Sequence, residues 1–385
     1  MDSESLRARE LVPDDTVLAA IFATSQPSSI EILANNWDVC TFRAKLENDS
    51  HPTFPDDLVV RLETAVGNLK VVTALQNVAA LEISELVPKL YAVGKTVTRS
   101  GKNIEFTVIQ YVADTEVLDS IWPDLPDIQK RRLVSAVADA VKRLQEVRFE
   151  DPRVQQLLQQ SPFLDDTYER AIGGPKDGYS QDLYDFLTKL VARHQKRVDA
   201  ISTIERIADG ASIKSVQDPN LEFAFTQQDL ATISKTTALS HNDLEPRNIL
   251  VRRILSSDAA SEPQYELAAI IDWETAGFMP FTFEFGWKDE GLGASSIYWD
   301  WYKMFKQETC DLIPGDECSQ RLPRALHFVV EAKRESMERN ANAEIYRRWR
   351  AQEGTEWAED VGGSILDGWD VLRDFGMVEG RDYYK

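Results

Sequence analysis

The stretch Leu239–Val251 constrains this chain more than any other. It reads Leu-Ser-His-Asn-Asp-Leu-Glu-Pro-Arg-Asn-Ile-Leu-Val, a polar turn that runs straight into an apolar β-run. Asp243 and Asn248 stand five residues apart in it. Pro246 restricts the backbone of the turn, and Ile249–Val251 anchors it in a strand. A second run, Ala268-Ala269-Ile270-Ile271-Asp272-Trp273-Glu274, is an apolar strand that ends in a carboxylate. Between the two lies a polar loop, Ser256–Pro263, with no tendency to order. An Asp at a strand end is by itself more often a cap or turn residue. Two such motifs, in this order and bracketing one hairpin, carry more meaning than either alone.

The chemistry that needs these parts is phosphoryl transfer to a hydroxyl. One carboxylate must orient the nucleophile and accept its proton, and oxygen ligands must hold Mg²⁺ against the phosphates. Asp243 and Asn248 supply both from one turn, with His241 as an internal brace. Asp272, at the far end of the hairpin, can complete the Mg²⁺ site.

His241–Val251 followed by Ile270-Ile271-Asp272-Trp273-Glu274-Thr275-Ala276-Gly277 resembles the HGDLxxxNILV and IIDWExAG motifs of the aminoglycoside phosphotransferase and choline kinase group. The flavour is that of its large fungal branch, whose members mostly lack assigned substrates. The resemblance spans residues 30–350, and its specific part is the two motifs. It implies an α+β, bilobal, protein-kinase-like fold. A small β-rich N-lobe (residues 1–112) would precede a larger, mostly helical C-lobe (113–385) that holds the catalytic loop and the Mg²⁺ hairpin, with ATP between the lobes. Asp243 would be the catalytic base, and Asn248 and Asp272 the Mg²⁺ ligands. Arg61, in Leu-Val-Val-Arg-Leu, falls where the family has its phosphate-binding cation. Asn36 lies in the nucleotide-covering segment Ala34–Asp38, and Gln110-Tyr111-Val112 would meet adenine. Two departures accompany the match. The helix slot for an acid that holds the cation is Asn77, with Glu63 and Glu82 the nearest acids on either side, and Ala34–Asp38 contains no glycine.

Pattern supports that order of elements. Asp38–Leu46 and Leu58–Leu62 read as strands, Asn68–Leu86 as a helix, and Val87–Val97 and Ile104–Val112 as a further strand pair. Thereafter Ile128–Val147, Gln181–Ile207 and Pro323–Trp349 read as helices.

The 385-residue chain is 43% hydrophobic and 28% charged, as befits a globular protein, and carries a formal net charge of −21. Such acidity repels nucleic acid and anionic membranes. It would steer a cationic small molecule toward the protein, and it would also simply keep the protein soluble. Aromatic residues interleave with acids after Asp272, through Phe278, Phe283, Glu284, Trp287 and Asp289 and again over Trp299–Tyr302. Glu274, Glu284, Trp287 and Asp289 are the candidates for holding an amine-bearing substrate by charge and cation–π contact; ordinary helix packing would use the aromatics equally well. Three cysteines, an odd number without metal spacing, suit a reduced cytoplasmic protein, and no leader or membrane-length apolar run is visible. The expected activity is ATP- and Mg²⁺-dependent phosphorylation of a hydroxyl on a small, amine-containing metabolite. Two alternatives share the same residues: a kinase-like protein that binds nucleotide or metabolite without transfer, and an amide-forming enzyme working through an acyl phosphate.

Overall fold

In the computed structural model of the chain, the described residues are 11–23, 26–35, 39–47, 53–65, 68–159, 170–195, 202–216, 220, 222–254, 263–291 and 298–326. They fall into two compact units. Met1–Glu116, Gln156–Phe163 and Ile249–Glu274 form the first, and Val117–Gln155, Leu164–Asn248 and Thr275–Lys385 the second.

The first unit begins with α1 (Asp15–Phe22), β1 (Ser29–Asn35), β2 (Val39–Lys45), β3 (Asp57–Thr64), α2 (Leu69–Ile83), β4 (Leu90–Val97) and β5 (Asn103–Gln110). The strands form one antiparallel sheet in the order β1-β2-β3-β5-β4. Side-chain alternation decides its faces. Cys40, Phe42 and Ala44 of β2, Leu58, Val60 and Leu62 of β3, and Ile104, Phe106 and Val108 of β5 share one buried core with Val17, Leu18, Ile21 and Phe22 of α1. Asp14 starts that helix by accepting the backbone N–H groups of Thr16 and Val17 (2.9 and 3.0 Å). The opposite face therefore takes Val59, Arg61 and Glu63, which brings the charged residues of β3 to the side away from the core.

The second unit is mostly helical. After the short β6 (Thr115–Val117), where the chain passes from the first unit, come α3 (Leu118–Ile121), α4 (Asp127–Leu144), α5 (Pro152–Leu158, of the second unit as far as Gln155), β7 (Ile172–Gly174), β8 (Gly178–Ser180) and α6 (Leu183–Gln195). A three-stranded sheet follows, made of β9 (Ser202–Ile207), β10 (Gly210–Ser215) and β11 (Glu222–Thr226), then α7 (Gln227–Ser234) and β12 (Ala238–Ser240). The hairpin β13 (Ile249–Ile254) and β14 (Gln264–Ile270) belongs to the first unit, and β15 (Gly277–Met279), α8 (Phe281–Gly291) and α9 (Trp299–Thr309) return to the second. The class is α+β, as expected. Among the described residues no helix is long and apolar enough to cross a membrane.

The strand and helix expectations up to Val147 hold to within a few residues. The helix read over Gln181–Ile207 does not: a helix is described over Leu183–Gln195, and Ser202–Ile207 is β9. The two-residue turn Ala208-Asp209, followed by Gly210 at φ 134°, joins β9 to β10, whose pairing starts at Ile207 and Gly210. Of Pro323–Trp349, residues beyond 326 lie outside the described residues. The first helix, β1, and the small strands β7 to β11 had no counterpart in the sequence reading.

One motif glycine is explained by packing. β15 lies between β12 and β7. A Cβ at Gly277 would stand 2.4 Å from the carbonyl oxygen of Gly173, backbone against backbone. Gly277→Ala is therefore expected to lower stability by about 1–3 kcal/mol. The corresponding fall of several degrees in the calorimetric unfolding midpoint checks it, and an unchanged midpoint would contradict the close approach.

Candidate active site

The loop after β12 is built almost entirely on interactions of its backbone. The ring Nδ1 of His241 accepts the N–H of Asp243 (3.3 Å), and the His241 carbonyl accepts the Thr275 hydroxyl (2.8 Å). Asn242 takes a left-handed conformation (φ 64°), and its side-chain amide donates to the carbonyl of Thr275 (3.1 Å). Beyond it the chain folds back on itself. The Asn248 amide nitrogen donates to the backbone carbonyl of Asp243 (2.8 Å) and to its carboxylate (2.9 Å). Arg247 binds the other carboxylate oxygen. Asp243 is thus oriented from both sides by residues four and five positions later.

Buried charges hold this loop from beneath. Glu284 and Lys288, one turn apart on α8, are both buried. Glu284 accepts the His241 N–H (3.2 Å). Lys288 donates to the Leu244 carbonyl and to Glu245 (2.8 Å), and the indole N–H of Trp301 also reaches Leu244 (3.3 Å). Glu245 is buried with Lys288, so removing either would leave an uncompensated interior charge, a loss of about 3–5 kcal/mol. Burial pushes the Glu245 carboxyl up, and Lys288 opposes it. Burial likewise pushes Glu284 up to about 7, against the pull of Lys288 and the backbone N–H groups of Asn242 and His241.

In the first unit the centre is Arg61. Its guanidinium meets Asp272 (2.9 Å), Glu274 (2.7 Å) and Glu63 (3.3 Å). Burial works against the charge on Arg61, and Asp272, then Glu274 and Glu63, more than offset it, so the group is held protonated. Asp272 sits just past β14 in a left-handed conformation (φ 63°), and the Trp273 indole N–H caps the strand end at the Ile270 carbonyl (3.1 Å). Two non-glycine residues with left-handed backbone, Asn242 and Asp272, thus fall within the two motifs, a local strain of the kind found at functional positions.

The remaining sequence candidates are placed as follows. Gln110 ends β5, where its N–H donates to the Lys89 carbonyl (2.8 Å). The Val112 carbonyl accepts the Thr115 hydroxyl (2.7 Å), and between them Tyr111 lies under the Arg43 guanidinium (3.7 Å). Asn36 lies outside the described residues, as does the side chain of Asp289. Trp287 packs on Phe283 (5.9 Å between ring centres) at the edge of the second unit's core. Glu284 and Trp287 are thus set in or against the interior, while Glu274 is half-exposed. Lys288, Glu245, Arg247 and Thr275 stand in or near the motifs, but the sequence assigns them no role. An Arg four residues after Asp243 was the one local signal available.

Each unit by itself offers an oxygen of the kind a divalent ion takes. In the second, Asn248 keeps its amide oxygen, its amide nitrogen being committed to Asp243; in the first, Asp272 carries a carboxylate. Among the described residues no group of three or more His, Cys, Asp or Glu forms a protein cage. None is needed by an ion that keeps waters and phosphate oxygens as ligands.

Residues 57–288, more than half of the chain, match the phosphotransferase enzyme family (APH), and the chain belongs to that family. No curated protein matches it. Among solved structures it is similar to spectinomycin phosphotransferase APH(9)-Ia in complex with ADP and spectinomycin, at 10% identity over 93% of each chain (TM-score 0.35). An AMP-bound complex of the same enzyme aligns at 12% identity over 92% of this chain and 97% of that one (TM-score 0.33). WaaP in complex with acyl carrier protein aligns at 10% identity over 88% and 96% (TM-score 0.33).

The raised Glu284 carboxyl has a measurable consequence. From its ordinary value of 4.5 up to about 7, the native state keeps a proton that the unfolded chain has released. Stability from this group is therefore lost as pH rises through that window. Urea unfolding of wild type and Glu284→Gln should show the variant gaining relative stability from pH 4.5 to about 7 and a constant difference above it. Parallel profiles across the window would contradict the shift.

Proposed function

We propose that this phosphotransferase is a small-molecule kinase that moves the γ-phosphoryl group of ATP to a hydroxyl. The grip of Asn248 and Arg247 on the Asp243 carboxylate, in a chain of this family, carries the reading. Asp243 orients the acceptor hydroxyl and takes its proton as the hydroxyl oxygen bonds to the γ-phosphorus and the bond to the bridging oxygen of ADP breaks. His241 holds the loop. Arg61 binds phosphate oxygens through its terminal nitrogens, a task its planar fork suits. Asn248 and Asp272 would hold Mg²⁺, which would neutralise charge on the phosphates when bound. Gln110 and Val112 flank adenine, with Asn36 in the segment over the phosphates.

The acceptor in this proposal is a cationic, amine-containing metabolite. Glu274 is half-exposed and Asp289 follows on α8, and the net charge of −21 favours the approach of such a molecule. Glu284 and Trp287 belong to the support of the site, given their burial. Two lobes divided near residue 112, and a reducing cytoplasmic setting consistent with three free cysteines, complete the proposal.

The test is ADP formation from Mg-ATP with a panel of hydroxylated amines, for wild type and Asp243→Asn. Turnover should fall on the order of 10³-fold in the variant while nucleotide affinity is kept. Retained turnover in Asp243→Asn would remove Asp243 as the base. An amide product beside ADP would instead indicate chemistry through an acyl phosphate.

A further inference from the structure

We propose that Glu63, on the same strand as Arg61, is the positioning residue that holds this cation for phosphate, in place of an acid from helix α2. The inference rests on the role given above to Arg61.

Arg61 and Glu63 are two residues apart on β3, so both stand on the face opposite the buried Leu58, Val60 and Leu62. Every acid paired with Arg61 among the described residues lies on β3 or on the turn after β14, and none lies on α2. Asn77 stands half-buried on α2, where the resemblance expects the acid.

The three partners are not equivalent. Asp272 is needed for Mg²⁺, and the Glu274 side chain is 45% exposed, where an ion pair contributes little. Glu63 is 15% exposed and has no other task. It also binds a different part of the guanidinium. Its carboxylate meets Nε, whereas Asp272 and Glu274 meet the terminal nitrogens Nη1 and Nη2. When phosphate oxygens displace the two outer acids, the grip on Nε remains and fixes the plane of the fork.

The sheet makes that grip obligatory. Glu63 faces Glu105 directly across β5, and Glu105 in turn faces Lys95 on β4. Two acids side by side on neighbouring strands repel unless each has a cation. Lys95 serves Glu105 (2.9 Å), which leaves Arg61 for Glu63. A cation held by its own strand is set in place whatever position α2 takes.

A double-mutant cycle on Mg-ATP affinity, by calorimetric titration of the full chain, tests this. Glu63→Gln should weaken binding about tenfold, the scale of a hydrogen bond to a charged group. In an Arg61→Ala background the same substitution should change affinity by less than about twofold, because Glu63 acts only through Arg61. An equal loss in both backgrounds, or no loss in the single variant, would overturn the proposal while leaving the kinase reading intact. Failure of wild type to bind Mg-ATP would overturn the kinase reading and this inference with it. Unfolding midpoints without nucleotide confirm that each variant is folded. If Glu63→Gln does not fold, Glu63→Asp, which keeps the charge but shortens its reach, completes the same cycle.

Discussion

A carboxylate and an ammonium one turn apart on α8 hold up the loop on which the rest of the site depends. Glu284 and Lys288 lie in the interior, and each reaches the loop's main chain: the His241 N–H for one, the Leu244 carbonyl for the other. Buried charges of this kind are costly unless every partner is in place. Here the partners are the loop itself and Glu245, so the loop cannot leave its position without stranding charge in the core. That constraint lets Asn242 keep a left-handed backbone and presents Asp243 with both carboxylate oxygens already engaged. Precision at Asp243 is thus derived from the interior of the second unit, 43 and 44 residues removed from the loop in sequence and packed around Phe283, Phe285 and Trp301.

The first unit obtains its charged centre by a different route. Alternation along β3 sends Leu58, Val60 and Leu62 into the core with α1, and the same alternation leaves Arg61 and Glu63 together on the other face. Asp272 and Glu274 come to the same guanidinium from the end of the hairpin. A strand periodicity of two and a strand terminus are enough to assemble this centre. The acid that the resemblance expects on α2 is absent at Asn77, yet Arg61 is no less surrounded by negative charge.

What could be read in the sequence was whatever is local. The turn from His241 to Asn248, the hairpin behind it and the strand ending in Asp272 all announce themselves within thirty-odd residues, because their chemistry and their backbone shape depend on near neighbours. Strands β2 to β5 of the first sheet were legible for the same reason, from apolar runs and turn residues, whereas β1 was not. The support of the loop was not. Glu284 and Lys288 appear in sequence as acid and base among aromatics, and only packing shows that they point inward at backbone forty-odd residues earlier. Glu63 was visible but passed over, since the comparison was with a helix acid rather than with a neighbour on the strand. The β9–β11 sheet was not legible either: Ser-Thr-Ile-Glu-Arg-Ile has its apolar residues three apart and no strand alternation, so only the Asp209-Gly210 pair hints at the hairpin.

The proposed kinase requires that Mg-ATP bind at Arg61 and Asp272. The most direct measurement is the unfolding midpoint of wild type and Asp272→Ala with ATP, in the presence of Mg²⁺ and of a chelator. At about 100 times the dissociation constant, Mg-ATP should stabilise wild type by about 2.7 kcal/mol, a shift of several degrees. That shift should need Mg²⁺ and disappear in Asp272→Ala. Absence of any shift in wild type, or an undiminished shift in the variant, would contradict the account.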